Sequence, residues 1–123
     1  MQKTLSAIVT VVILSLGSAC TSNDHSVRVT DVRKHEVITL QDLQNQHHVY
    51  GIEIRGTGKI DGDATVTLML NGKPYKFEKL NGPVSFKWGG DWYSNTAEIR
   101  YVPNKVNSGE IVVEYKFLTL KKD

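Results

Sequence analysis

The chain has a single cysteine, at position 20 of 123, so it cannot form an internal disulfide. Stability must come from core burial alone. Proline is scarce, and beyond the first twenty residues no stretch keeps a helical period for more than a turn. That absence excludes helix bundles and sheets wrapped in helices. Charge of neither sign is concentrated: 15 lysines and arginines face 13 acidic residues, for a net +2. Nucleic-acid binding needs a clustered basic footprint, so nucleic acid is not an expected partner. The paired Lys121 and Lys122 read as a solvated tail rather than a lipid-binding patch.

Long apolar runs are also missing, with one exception. Lys3 is followed by an apolar run from Leu5 to Leu16, then by Gly17-Ser18-Ala19 and Cys20. The run falls short of the roughly 20 residues that cross a bilayer. It is too uniformly apolar for an amphipathic core helix, and its order is that of a secretory signal. Leu16-Gly17-Ser18-Ala19-Cys20 resembles the lipobox of bacterial lipoproteins at Ser18, Ala19 and Cys20. It departs at Gly17, where that class carries a large aliphatic residue. The resemblance implies cleavage before Cys20, acylation of its thiol and amine, and a membrane-tethered mature chain. Thr21, rather than aspartate, after the cysteine implies the outer membrane, with the domain at its periplasmic face. Each acyl methylene buried contributes about 0.8 kcal/mol, and more than one chain makes a stable anchor. The expected divisions are a signal over 1–19, a lipidated tether over 20–26 and one domain over 27–120.

The mature chain is read by period two. Ala97, Ile99 and Tyr101 alternate with Glu98 and Arg100; Ile111, Val113, Tyr115 and Phe117 alternate with Val112, Glu114 and Lys116. Such segments are half-buried strands that need a facing sheet. Further strands are expected over 27–32, 36–40, 47–55, 64–70, 74–77 and 84–88. Turn residues separate them: Asp61-Gly62, Asn71-Gly72, Asn81-Gly82-Pro83, Gly89-Gly90 and Asn107-Ser108-Gly109. Asn71-Gly72 is the strongest hairpin signal, because both residues tolerate positive φ. The expectation is all-β, an antiparallel β-sandwich of seven to nine short strands. Immunoglobulin hallmarks fail for want of a cysteine pair, although Tyr101-Val102-Pro103 could form a corner.

No motif for catalysis or a cofactor is present. The serines lie outside any nucleophile elbow, and the cysteine is committed to the anchor. Glu53 and Glu98 could in principle face each other across a cleft, yet each falls on the polar side of its strand. His25, His35, His47 and His48 lack the convergent spacing of a zinc site, and Asp61-Gly62-Asp63 lacks the downstream oxygen ligands of a calcium loop. Neither metal nor enzyme activity is expected. Trp88, Trp92 and Tyr93 surround the Gly89-Gly90 pair. They form either core filling or a flat platform that stacks on sugar rings. The expected role is a protein-interaction or structural module of the envelope; the alternative is a carbohydrate-binding module using that platform.

Overall fold

The structure, a computed structural model, describes residues 25–42 and 48–120. Its five strands are β1 (His25–Arg28), β2 (Glu36–Gln41), β3 (Val49–Leu70), β4 (Lys73–Asp91) and β5 (Thr96–Thr119). All join one antiparallel sheet in the order β1-β5-β3-β4, with β2 also paired to β5. β1 lies against residues 112–115 of β5, while β2 lies against residues 96–101.

Three strands are very long because each fuses two of the expected short ones. β3 runs through Asp61-Gly62, β4 through Asn81-Gly82-Pro83 and β5 through Asn107-Ser108-Gly109. The seven to nine expected strands are therefore five, and those residues are bends rather than ends. The register shows it. Lys59 opposes Pro83 and Asp63 opposes Asn81, so three β3 residues face one on β4. On the other side the β3–β5 pairing shifts between Asp61 and Gly62, and again between Asp63 and Ala64. Unpaired extra residues bend and twist a strand. Gly58, Gly62 and Gly109 sit there with positive φ. At Gly62 a β-carbon would overlap the Lys105 carbonyl oxygen. Only Asn71-Gly72 makes a true two-residue hairpin turn, at φ values of 55° and 76°.

The bends fold the sheet over on itself as a β-sandwich. A first half carries β1 with residues 49–60, 83–91 and 109–119; a second carries β2 with residues 63–70, 73–81 and 96–106. The buried side chains project from one face, Ile52 and Ile54 in the first half, Val66 and Leu68 in the second, and join one core. The first half brings Phe86, Trp88, Tyr115 and Phe117; the second brings mainly aliphatic residues such as Leu40, Leu68 and Ile99. Large rings on one layer thus meet smaller branched chains on the other, which suits close packing. β1 begins at His25, two residues earlier than the expected domain start.

Replacing Gly62 by alanine is expected to lower the unfolding free energy by about 2–4 kcal/mol, through left-handed strain and the clash with Lys105. At Gly89 the nearest atom to an added β-carbon is the Ile52 carbonyl oxygen at 3.5 Å. Gly89→Ala should then stay within about 1 kcal/mol of the parent. Urea denaturation of the two variants checks the pair.

Candidate functional site

The tryptophans of the expected platform go inward. Trp88 alternates with Lys87 on β4, opposite Ile54, and stacks obliquely on Phe86 at 4.7 Å between centroids. It is 7% exposed. Trp92 follows β4 and turns back over the end of the core at 5% exposure. Its backbone N–H donates to the Tyr50 carbonyl at 3.2 Å, and its indole N–H donates to the Thr96 carbonyl at 2.9 Å. Both polar groups are satisfied, as burial requires. Tyr93 alone faces outward, at 77% exposure. The three rings do not form a shared stacking surface, because the period of two and the needs of the core take the tryptophans.

The other candidates are dispersed. Glu53 lies on the outer face of the first half, opposite Gly89 and Lys116. Glu98 lies on the outer face of the second half and accepts from Arg100 at 2.7 Å. The core separates the two carboxylates. Among the described residues no group of three histidine, cysteine, aspartate or glutamate side chains is placed to hold a metal. Asp61 and Asp63 stand at the bend, hydrogen bonded to Asn107 and Asn81. His25 packs its ring on Tyr115 at 5.5 Å. Cys20 and His47 lie outside the described residues.

Two surface features had no sequence signal of their own. The first is an open cleft of about 750 Å³ between the β1–β2 connection, residues 29–35, with Glu36 at the start of β2, and residues 107–109. Its acidic groups are already engaged. The Glu36 carboxylate accepts from the Thr30 N–H at 2.8 Å and from its hydroxyl at 3.1 Å. The Arg33 guanidinium donates to Asp31 and holds that half-buried carboxyl below its ordinary range. Tyr101 pins the connection from beneath, its hydroxyl donating to the Val32 carbonyl at 2.6 Å. The tyrosine of the expected corner thus ties β5 to a connection 69 residues earlier. The cleft's two carboxylates are thus internally paired, and His35 and Lys34 also line it.

The second is the first half of β4. Among the described residues this strand is the sheet's last along its whole length, and one of its edges has no described strand beside it. From Lys73 to Lys79 none of its residues is buried. Phe77 is 61% exposed, and Tyr75 beside it carries Lys76 Nζ at 5.1 Å from its ring centroid. An uncovered edge with an apolar side chain invites a further strand. Lys73, Pro74, Lys76 and Lys79 make that edge selective, since lysine and proline oppose indiscriminate pairing.

No family model matches the chain, and no curated protein matches it. Among solved structures it is similar to a protein of the disulfide-linked pili that form Bacillus endospore appendages, at 12% identity and a TM-score of 0.51 over 85% of this chain and 99% of that one. It is also similar to PirA, at 12% identity and 0.48 over 81% and 97%. A carbohydrate-binding module of family CBM36, solved with calcium and xylotriose, matches at 12% identity and 0.37 over 80% and 91%. At such identities a likeness speaks for the fold alone.

Tyr101→Phe should lower stability by about 1–2 kcal/mol, by leaving the Val32 carbonyl without its donor. Burial, reinforced by nearby Asp31, raises the Tyr101 pKa. The folded state therefore favours the neutral phenol. Its contribution is complete below the ordinary tyrosine range and is lost as pH climbs through the raised folded value. Urea midpoints measured against alkaline pH should fall less steeply for the phenylalanine variant.

Proposed function

We propose that this chain is a lipid-anchored envelope protein, held through Cys20 at the periplasmic face of the outer membrane, that works by binding a protein partner rather than by catalysis. The observation that carries this reading is the uncovered edge of β4 from Lys73 to Lys79, with Phe77 exposed on it. An extended partner segment would add to the sheet there, its backbone pairing with β4 and an apolar side chain covering Phe77. The lysines favour a segment with acidic residues, which also keeps copies of this chain from pairing edge to edge. The lipobox resemblance supports the anchor, and it accounts for an otherwise lone thiol in an exported chain. The separation of Glu53 from Glu98 and the paired carboxylates of the cleft support binding over chemistry. Carbohydrate binding through Trp88, Trp92 and Tyr93 gains no support from the geometry, with two of the rings in the core.

Phe77→Asp is expected to leave the fold intact, since the side chain is exposed, and to weaken partner binding by tenfold or more, about 1.4 kcal/mol. Site-directed photo-crosslinking from position 76 in intact membranes, followed by affinity measurement on the captured partner, checks it. Unchanged affinity would remove β4 from the account. Cys20→Ala should shift the protein from the membrane to the soluble fraction on differential centrifugation.

A further inference from the structure

The sandwich has two unlike ends. One is the bend, where Asp61, Asp63, Asn81, Lys105, Asn107 and Ser108 present a polar surface. The other is open. There β3 starts, β4 and β5 finish, and the Asn71-Gly72 hairpin closes the second half. Backbone hydrogen bonds from Trp92 to Tyr50 and from Leu120 to His48 draw the first half's segments together at that end; one from Asp42 to Asn95 ties β2 to the β4–β5 connection. Tyr50, Leu70, Tyr75, Tyr93 and Leu120 are all exposed at that end. The remaining exposed large apolar residues among those described, Val37, Phe77 and Val102, lie along the second half instead.

The position of β1 decides which end faces the anchor. His25 stands opposite Tyr115 and Arg28 opposite Val112, so β1 runs away from the open end. The chain therefore enters the domain from the open-end side. Four residues separate Cys20 from His25, a reach of at most ~18 Å. Tyr115 is four residues from the strand's finish at Thr119, about 13 Å at extended rise. It is six from Gly109 at the bend, about 20 Å away in the other direction. An acylated Cys20 thus reaches past the open end with length to spare, whereas the bent end lies at the limit of its extension.

We propose that the open end is the face that rests on the lipid bilayer, with Tyr50, Tyr75 and Tyr93 seated among the headgroups. The inference rests on acylation of Cys20. A tyrosine suits that layer because its ring is apolar and its hydroxyl wet. Lys73 and Lys76 add positive charge toward anionic lipid. Asp42 and Asp91 stand at the same end, so the rings rather than net charge supply the attraction. Seated in this way, the bent end points away from the membrane, and the β4 edge from Phe77 onward stands along the side of the domain, open to a partner.

The test uses the full acylated chain, in which an added cysteine is the one free thiol. Asn95→Cys at the open end and Ser108→Cys at the bend each carry a polarity-sensitive fluorophore. They are measured on vesicles of phosphatidylethanolamine and phosphatidylglycerol, with a bilayer-resident quencher. The expected result is a blue shift and several-fold stronger quenching at position 95 and neither at 108. Both effects at 95 should be lost when Tyr50 and Tyr93 are changed to serine, with the acyl mass at Cys20 unchanged. Equal exposure of the two probes on an acylated chain, or protection at 108, overturns the inference and leaves the anchor standing. Mass spectrometry showing an unacylated Cys20 overturns both.

Discussion

Everything in this molecule follows from one sheet having to supply both of its own layers. No helix is present among the described residues, and none of the strands there belongs to a second sheet. The alternating side chains of β3, β4 and β5 can leave water only if the sheet doubles back. The bend is therefore the condition for a core, and the residues in it are chosen for backbone freedom. Ion pairs such as Arg28–Glu110, Arg55–Glu114 and Arg100–Glu98 lie at the surface. Pairs of this kind are screened by solvent and add little to stability. Burial holds the fold together.

Doubling one sheet also settles what the surface can offer. A folded ribbon keeps two free sides. On one, the short β1 and β2 and their pinned connection occupy the flank of β5. On the other, β4 has no companion among the described residues from hairpin to finish. The side without companions is where a partner strand has room, and its first half is also where the core fails to cover the strand. The outer face of the first half, by contrast, carries a charged cross-strand pair, Arg55 with Glu114. The proposed binding role draws on that edge.

The alternation of apolar residues was legible in the sequence almost residue by residue: Ile52, Ile54, Val66, Leu68, Ile99, Tyr101, Val113 and Phe117 are all buried as period two requires. The Asn71-Gly72 turn was legible because its chemistry has few other uses. The strand count was not. Asp-Gly, Asn-Gly-Pro and Asn-Ser-Gly mark places where the backbone leaves the ordinary β region, and that signal is the same for a chain reversal and for a bulged corner. What separates them is pairing with strands distant in sequence. The tryptophans show a similar limit, since a ring beside Gly-Gly serves equally as filling or as a contact surface until its neighbours are known. The bare edge of β4 could not be read at all, because strand order in a sheet is written across the chain rather than within a segment.

The pairing of β1 with the far end of β5 carries a kinetic consequence. The first strand to be synthesised is held by nearly the last, with His25 against Tyr115. Only the β3–β4 hairpin can form early from local contacts; the β3–β5 ladder must wait for closure of a long loop, which is slow. A chain emerging N-terminus first cannot finish its sheet until residues near 115 have also emerged. Closure of the full sheet is therefore a late event, and the β3–β4 hairpin is the part that can precede it.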